Sequence, residues 1–368
     1  MTLRQVTAKG LLTSNSTYLE LLFGVTVLRV LGGWLGGVLH VPMATALVAG
    51  GVGVVPPVHP PQPPPSPVIR HDFPDPAVLV VGGVNYAYST MSRYGNRIWH
   101  VPVARSTDLL GPWRILTDAM PHLPSWVDAS PPGDGNVWAP DVAARSDGSY
   151  LLYFAARSAA RKIQCIGTAL ARSPQGPFTG VGAGPLLCQP QNTDSIDPST
   201  FTDSDGAQYL LYSSGQGRTS IWLQQTSPDG LRLIGEPRPL ITADRADEAH
   251  IVEAPTLVHQ GDKYVLFYSG NSYNSGHYFL NYASAPSLAD TFVKHPGQFL
   301  AQSTLNGKYT NPGSTDLLPG RPHNFLIFHA YTATNQRSMF VVDLDWTPNN
   351  EPVLNLQPGT TRAVHLTE

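Results

Sequence analysis

Charged side chains are scarce in this chain of 368 residues: Asp, Glu, Lys and Arg together make up 13% of it, and the formal net charge is -3 at pH 7. No cluster of Lys and Arg stands out anywhere in the sequence. Proteins that bind nucleic acid neutralise phosphates with clustered cations. The composition therefore argues against a polyanionic partner, and we expect no nucleic-acid binding.

Cysteine is almost absent, with only Cys165 and Cys188. They flank one loop and lie in neither a metal-ligand nor a redox spacing, so the spacing permits a disulfide that closes this loop. The alternative is a pair of reduced, buried thiols. No cluster of His, Asp or Glu has the ligand spacing of a calcium or zinc site, so we expect no obligatory cofactor.

Residues 1–67 do not share the pattern of the remaining chain. Segment 1–55 contains a nearly uncharged stretch rich in Gly, Leu and Val, long enough to cross a bilayer of about 30 Å. We interpret it as a signal peptide or a membrane anchor, with Met43 as an alternative translation start. Segment 56–67 is rich in proline and predicts an extended polyproline II linker. We expect a secreted protein, with a membrane-anchored one as the alternative if the leader is not cleaved.

Four segments each carry an acidic residue and then run into an aromatic strand: FPDPAVLVVGGVNYAYS, WAPDVAARSDGSYLLYF, IDPSTFTDSDGAQYLLYS and VEAPTLVHQGDKYVLFYSG. The acids recur at intervals of 66, 56 and 56 residues: Asp75, Asp141, Asp197 and Glu253. These intervals are close to the length of one four-stranded propeller blade with its loops. A fifth segment, NPGSTDLLPGRPHNFLIFHAY, has Ser314 or Asp316 at the position of the acids.

Short runs of Val, Tyr, Leu and Thr, bounded by Gly, Asp, Asn and Pro, predict many short strands. We therefore predict an all-β fold, a five-bladed β-propeller over residues 68–368 that follows a non-propeller N-terminal leader. We also expect the protein to be a monomer. Radial repetition directs the first strand of every blade at a common axis, so the four acids are expected to converge at one end of the channel. Converging carboxylates are the groups that acid–base catalysis needs.

The segments also carry family motifs. HDFPDP with YAYST, WAPD, IDPSTFTDSDG, VEAPTLV, and NPGST with FHAY, in this order, resemble the family 43 glycoside hydrolases over about residues 70–350. The resemblance implies a five-bladed β-propeller that hydrolyses arabinose- or xylose-containing plant polysaccharides with inversion at the anomeric carbon. The cysteine pair is also similar to that of some secreted fungal members.

The resemblance implies a role for three of the acids. Asp75 matches the general base, Glu253 the general acid, and Asp197 a third acid that orients Glu253 and raises its pKa. Inverting hydrolysis needs a carboxylate that activates water and a carboxylic acid that protonates the leaving oxygen, roughly 6.5–9.5 Å apart. A nearby like charge would keep Glu253 protonated near neutral pH. The alternative for each acid is a structural turn, since Asp before Pro often caps one.

Five further residues are predicted to contact the substrate: Trp138, Asp141, Asn271, Tyr273 and Arg337. The aromatic rings suit the flat apolar faces of sugars, with core packing as the alternative. Asp141 is expected to fix the strand entrance or a substrate hydroxyl, and a turn explains Asn271 equally well. His329 resembles a family histidine, but a lone histidine on an apolar strand is more often a core residue.

One position departs from the family. Many members carry a histidine directly after Pro-Gly in the fifth blade, where it helps to hold a metal ion or ordered water near the channel. This chain has Ser314 after Gly313. We therefore expect no metal ion held by a histidine at this position, while calcium in the channel stays an open alternative.

The sequence thus predicts an inverting glycoside hydrolase that cleaves α-L-arabinofuranosyl linkages, of the endo- or exo-1,5-α-L-arabinosidase type, with a pentose-containing polysaccharide or oligosaccharide as its partner. A β-xylosidase of the same family is the alternative enzyme. A non-catalytic carbohydrate-binding propeller is the alternative class, because a fold alone does not fix a function. The intact acids Asp75, Asp197 and Glu253 argue against it.

Overall fold

The computed structural model describes residues 63–130, 135–189, 191, 193–321, 323–356 and 365–366. The predicted leader, and residues 56–62 of the predicted linker, lie outside this part of the chain. The described residues form five four-stranded antiparallel sheets, and their single helical segment is the 3-10 turn Ala246–Glu248. Within them, no helix is both long and apolar enough to span a membrane. The prediction of an all-β, five-bladed propeller is confirmed.

Each blade is a meander of four strands that begins at the central channel. Blade 1 contains β1 (Ala77–Val81), β2 (Val84–Tyr88), β5 (Pro102–Ser106) and β6 (Arg114–Asp118), and a hairpin of β3 (Ser92–Tyr94) and β4 (Arg97–Trp99) follows β2. Blade 2 contains β7 (Trp138–Ala144), β8 (Tyr150–Arg157), β9 (Gln164–Ala171) and β10 (Thr179–Gly180). Blade 3 contains β11 (Ser195–Thr202), β12 (Gln208–Ser214), β13 (Ser220–Thr226) and β14 (Leu233–Thr242).

The last two blades have the same order. Blade 4 contains β15 (Val252–Gln260), β16 (Lys263–Gly270), β17 (Phe279–Ala285) and β18 (Val293–Lys294). Blade 5 contains β19 (Thr310–Leu318), β21 (Asn324–Tyr331), β22 (Arg337–Trp346) and β23 (Pro352–Asn355). A separate two-stranded sheet pairs β20 (Gly320–Arg321) with β24 (His365–Leu366).

The ring is closed by the segment that precedes blade 1. The N–H of Val68 donates to the carbonyl of Met339 at 2.9 Å, and the N–H of Phe73 donates to the carbonyl of Arg337 at 2.8 Å. Both acceptors lie on β22, the third strand of blade 5. The segment therefore ties the start of the propeller to its last blade immediately before Asp75.

The core is divided among the five contacts between neighbouring blades. Each of five buried apolar clusters contains strands from two adjacent blades, as in the one that joins Tyr88 of blade 1 to Phe154 of blade 2. Burying one such aromatic side chain contributes on the order of 1.5–3 kcal/mol. Because no blade has a complete core of its own, the positions of the inner strands depend on closure of the whole ring.

Each of the five inner strands contains, or closely follows, a residue in the left-handed backbone region. Their φ angles lie between 41° and 55°: Asp75, Ala139, Asp197, Ala254 and Ser314. Proline follows in the first four blades and threonine in the fifth. In blades 2–5 the strand pairing shifts register at this point, which is the signature of a β-bulge. We call these five residues the bulge ring.

Cys165 on β9 and Cys188, in the loop after β10, are joined by a disulfide, and their Cα atoms lie 4.7 Å apart. This separation falls in the usual range for a disulfide. The bond closes the loop that carries β10 at the outer edge of blade 2. It lies away from the bulge ring, so its effect is expected on stability.

The double variant Cys165→Ala/Cys188→Ala should lower the free energy of unfolding by about 3 kcal/mol, because a cross-link at this sequence separation removes about that much chain entropy from the unfolded state. Urea denaturation of the full chain measures the difference. A thiol reductant should destabilise the wild type and leave the variant unchanged. Identical unfolding of the two proteins would contradict the prediction.

Candidate active site

The bulge ring surrounds a narrow channel. The ring residues and the two that follow each of them line one central cavity of about 40 Å³, which is the size of a few water molecules and too small for a sugar ring. A larger cavity, about 900 Å³, lies at the outer edges of blades 3 and 4, and none of the three predicted catalytic acids lines it. A sugar can therefore meet these acids only at the channel mouth.

The predicted acids do not occupy equivalent positions. Asp75 and Asp197 belong to the bulge ring, Glu253 directly precedes its ring residue, and Asp141 lies two residues beyond its own. The four acids therefore differ in their position relative to the bulge, because the repeat aligns the left-handed residue and not the acid. In blade 5, Ser314 takes the ring position, and Asp316 is equivalent to Asp141.

Asp75 is surrounded by groups that favour its ionised form. The Thr90 hydroxyl donates to Oδ2 at 2.5 Å, the His329 Nδ1 lies 3.3 Å from Oδ1, and the Arg337 guanidinium lies 3.6 Å from Oδ2. Burial raises the pKa of Asp75, but the positive charge of Arg337, the largest of the opposing causes, and the hydrogen bond from the Thr90 hydroxyl outweigh it and hold the pKa well below its usual range. Asp75 is therefore a carboxylate at neutral pH.

The partners of Asp75 are themselves held in place. The Thr90 oxygen accepts the backbone N–H of Ala139 at 2.7 Å, which links blade 1 to blade 2. The Asp72 carboxylate accepts the backbone N–H of Arg337 at 3.0 Å and the Ser92 hydroxyl at 3.0 Å. These bonds fix the backbone around Asp75, so its side chain has a defined direction at the mouth.

His329 is fully buried on β21, as expected of a core histidine, yet it contacts Asp75. Its Nδ1 accepts the backbone N–H of Asp75 at 3.1 Å, which places the proton of the neutral ring on Nε2. Burial lowers the pKa of His329, which favours this neutral form. The histidine therefore supports Asp75 by geometry, while Arg337 supplies the charge.

The surroundings of Glu253, unlike those of Asp75, favour its protonated form. It is half-buried, and its Oε1 accepts the Tyr278 hydroxyl at 2.9 Å. Burial is the largest cause that raises the pKa of Glu253 to about 7, and the negative charge of Asp75 adds to it. Near neutral pH this glutamate still holds a proton in part of the molecules, as a general acid must.

Asp197 lies within the same electrostatic field. Its Oδ2 accepts the backbone N–H of Ala254 at 2.9 Å, next to Glu253 in the chain. Burial first, and then the charges of Glu253 and Asp75, raise the pKa of Asp197 well above its usual value. The structure thus brings together the three acids assigned to catalysis, with Asp75 ionised and the other two inclined to hold protons.

Asp141 lies deeper in the channel, where its Oδ2 accepts the backbone N–H of Thr200 at 2.6 Å. Its equivalent Asp316 accepts the backbone N–H of Val78 at 2.7 Å. Burial raises the pKa of both carboxyls, that of Asp316 to about 7. Each aspartate joins two neighbouring blades, so Asp141 has a structural partner and is not placed beside Glu253.

The other predicted contact residues differ in their surroundings. Trp138 is half-buried and directly precedes its ring residue, as Glu253 does. Tyr273 is 44% exposed, and the Arg337 guanidinium lies 5.1 Å from its ring centre, so these two residues extend the site outward from Asp75. Asn271 donates to the carbonyl of Asp247 at 2.9 Å and accepts from the N–H of Ser272, which matches the turn interpretation.

No three His, Cys, Asp or Glu side chains of the described residues are grouped so that they could hold a metal ion. The channel has Ser314 where the resemblance implies a histidine, and the carboxylates of Asp141 and Asp316 already accept backbone N–H groups. These residues do not fit the family's channel metal, and the chemistry below uses protein side chains.

Sequence reasoning missed two functional contacts. Thr90 lies inside the motif YAYST, so the motif carried a signal, but nothing in the sequence indicates that its hydroxyl reaches Asp75. Tyr278 follows a loop of Gly, Ser and Asn, and its contact with Glu253 depends on the return of β17 beside β16, the strand that pairs with β15. Neither contact can be predicted from a motif spacing, because its two residues lie in different parts of a blade.

A carboxylate and a carboxylic acid are the pair of groups that glycoside hydrolysis uses. The family model described as "Glycosyl hydrolases family 43" matches residues 64–352, and the chain belongs to this family.

Several known proteins are similar to this chain. The chain is 26% identical over 288 residues to the extracellular endo-α-(1→5)-L-arabinanase 1 of Bacillus subtilis (strain 168), covering 74% of this chain and 85% of that protein. It is 35% identical over 150 residues to the xylosidase/arabinosidase 43A of Humicola insolens, covering 38% and 42%. The structure of Cellvibrio cellulosa α-L-arabinanase complexed with arabinohexaose has the same fold, with a TM-score of 0.63, 20% identity, and coverage of 77% and 95%.

The raised pKa of Glu253 predicts a cost to stability. The folded protein keeps a proton up to about pH 7 that the unfolded chain releases near pH 4.5, so this group's contribution to stability is greatest below pH 4.5 and falls until about pH 7. Glu253→Gln removes the ionisable group and should raise the free energy of unfolding by up to about 3 kcal/mol at pH 8, with little change at pH 4.

Urea denaturation at the two pH values measures this effect. Glu236→Gln is the matched control, because Glu236 is exposed on β14 and the same chemical change there should alter stability equally at both pH values. A Glu253→Gln protein that gains nothing at pH 8 would show that the glutamate is not destabilised by burial.

Proposed function

We propose that this enzyme hydrolyses the α-1,5-L-arabinofuranosyl linkages of arabinan with inversion. The observation that carries the proposal is the opposite displacement of two pKa values at one channel mouth, with Asp75 lowered and Glu253 raised. Two carboxyls whose pKa values differ in this way supply the carboxylate and the carboxylic acid that glycoside hydrolysis needs. Inversion is what the resemblance to the family implies. The choice of arabinan is supported by the names of the Bacillus subtilis and Cellvibrio cellulosa relatives.

In the proposed reaction, the Asp75 carboxylate takes a proton from a water molecule as the water oxygen bonds to the anomeric carbon. The bond from that carbon to the glycosidic oxygen breaks, and its electron pair stays on the oxygen, which receives the proton of Glu253. Attack on the face opposite the leaving group inverts the configuration. Asp197 accepts the N–H of Ala254 and so holds the backbone beside Glu253.

The polysaccharide lies across the mouth of the channel, since the channel itself is too narrow for a sugar ring. Trp138 offers an apolar face to one sugar, and the stacked pair of Arg337 and Tyr273 lies on the side of Asp75. The protein is a secreted monomer in this proposal. Secretion is supported by the apolar leader segment and by the name of the extracellular Bacillus subtilis relative.

A β-xylosidase activity is the second candidate. It is favoured by the xylosidase/arabinosidase of Humicola insolens, which has 35% identity to this chain over the 150 aligned residues. Arabinose and xylose are both pentoses and need the same pair of carboxyls. The substrate contacts beyond that pair decide between them, so the two activities must be compared directly.

Sugar release by the full chain from linear arabinan, arabinoxylan and xylo-oligosaccharides tests the function, with the anomeric configuration of the product followed by NMR. Arabinan should yield inverted arabinose or arabino-oligosaccharides. Glu253→Gln and Asp75→Asn should each reduce the rate roughly 10²- to 10⁴-fold, while Glu236→Gln should have no effect. Release of xylose alone would favour the second candidate, and no release from any substrate by the folded protein would favour a carbohydrate-binding propeller.

The dependence of kcat/KM on pH follows from the same pair. Activity requires ionised Asp75 and protonated Glu253, so kcat/KM should be level in mildly acidic solution and fall about tenfold per pH unit above pH 7. The acid limb should lie below the ordinary Asp range, below about pH 4, because the pKa of Asp75 is lowered. Rate measurements from pH 3 to pH 9 check both limbs, and a rate that rises above pH 7 would contradict the assignment.

A further inference from the structure

Tyr278 is nearly fully buried and lies between blades 4 and 5 beside the general acid. Its hydroxyl is 2.9 Å from Oε1 of Glu253, and its backbone N–H donates to the side chain of Asn311 on β19 at 3.2 Å. Its ring is stacked on that of His329 with centres 6.2 Å apart. The phenol therefore has contacts on several sides that restrict its rotation.

The phenol donates its proton to Glu253, and Ser269 lies beside it. The hydrogen bond to Oε1 has the Tyr278 hydroxyl as its donor. A Cβ atom added at Gly313 would meet both the Tyr278 ring, at 2.2 Å, and the Ser269 hydroxyl oxygen, at 2.8 Å, so these two side chains are neighbours. The Ser269 oxygen accepts the backbone N–H of Ser314 at 2.9 Å, and its hydroxyl lowers the pKa of Tyr278, which strengthens the phenol as a donor.

We propose that Tyr278 is a positioning residue for the general acid: its hydroxyl occupies Oε1 of Glu253, so that the acidic proton resides on Oε2 and is presented to the leaving oxygen. This inference rests on the proposed function, in which Glu253 protonates the glycosidic oxygen. When the proton leaves Oε2 and the bond to the anomeric carbon breaks, the new carboxylate keeps its hydrogen bond from Tyr278. The phenol thus acts before and after proton transfer, and it is not itself a proton donor to the sugar.

Close packing against blade 5 holds the ring at this place. A Cβ atom added at Gly313 would lie 2.2 Å from Cε1 of Tyr278, so the position directly before Ser314 has no room for a side chain. Burial first, and then the charges of Glu253, Asp197 and Asp75, raise the pKa of Tyr278 well above its usual value. The hydroxyl therefore stays a donor throughout the working pH range.

The charged groups that face Glu253 give the sign of the expected shift. Burial and the charge of Asp75 raise the pKa of Glu253, while Tyr278 and Arg337 lower it, and Asp197 titrates beside it. Neutral His329 lies on the other side of the Tyr278 ring. Removing the phenol hydroxyl takes away a bond to the ionised form, so the pKa of Glu253 should rise.

Tyr278→Phe tests the proposal with two substrates that differ in their need for an acid: an arabino-oligosaccharide and the 4-nitrophenyl glycoside of the same oligosaccharide. The sugar leaving group must be protonated, whereas 4-nitrophenolate leaves with little help. On the oligosaccharide, kcat/KM at pH 5 should fall roughly 10- to 100-fold, and on the nitrophenyl substrate by less than about threefold. Equal losses on both substrates would show a merely structural role and overturn the proposal.

Tyr268→Phe is the matched control. The Tyr268 hydroxyl donates to Oε1 of buried Glu248 at 2.9 Å, which is the same pair of groups in the same blade, away from Glu253. It should reduce stability without shifting the alkaline limb of the pH profile, whereas Tyr278→Phe should shift that limb upward by about one pH unit. A limb shifted equally by both variants would count against Tyr278.

An NMR titration decides the question without a substrate. The chain has six glutamates, so labelling their side-chain carboxyl carbons with ¹³C gives few signals, and Glu253→Gln identifies the one from Glu253. The pKa of Glu253 should rise by about one unit in Tyr278→Phe, and an unchanged pKa would overturn the proposal. If Tyr278→Phe does not fold, Ser269→Ala replaces it and should give a smaller rise of the same sign, and no rise would again overturn it.

The proposed substrate and the proposed role of Tyr278 can be refuted independently. A wild-type protein without activity on arabinan, but with the expected NMR shift, would refute the substrate and leave the contact between Tyr278 and Glu253 in place. An active wild type whose Tyr278→Phe variant keeps its rate on both substrates would refute the role of Tyr278 alone.

Discussion

The site depends on one backbone constraint, which is the left-handed residue that lies in, or just before, every inner strand. Left-handed backbone costs roughly 1–2 kcal/mol for a residue other than glycine, and none of the five ring residues is glycine. The bulge also leaves backbone N–H groups outside the strand ladder, and a buried N–H without a partner is costly. The fold therefore needs side chains that satisfy these groups at the channel.

At four of the five ring positions, a side chain of the preceding blade accepts this N–H. His329 accepts from Asp75, Thr90 from Ala139, Asp197 from Ala254 and Ser269 from Ser314. His329 and Thr90 contact Asp75, Asp197 is itself one of the three acids proposed for catalysis, and Ser269 lies beside Tyr278. The bonds that relieve the strained backbone are thus the bonds that position the site, so the propeller cannot close without assembling it.

The sequence was sufficient to predict the fold because an acid, a proline and an aromatic strand recur in each of the first four blades, and a related segment follows in the fifth. The sequence was insufficient to predict how deep in the channel each acid lies, since Glu253, Asp197 and Asp141 occupy three different positions relative to the bulge. Alignment on Ala139 and Ala254, which also precede a proline, would have given the correct register. No motif in the sequence indicates the contacts of Thr90 with Asp75 and of Tyr278 with Glu253. The two residues of each contact lie in different parts of a blade, and only folding brings them together.

The same side-chain type has two roles in this channel, and the available partners explain the difference. Asp141 and Asp316 each accept a backbone N–H of the next blade, and among the residues that the structure describes neither forms an ion pair with a cation. Burial therefore raises their pKa, and they serve as links between blades. Asp75 has Arg337 and Thr90 within reach and stays ionised. A base at neutral pH therefore requires more than an aspartate at the axis: it requires blade 5 to bring a guanidinium to the mouth, which only the closed ring achieves.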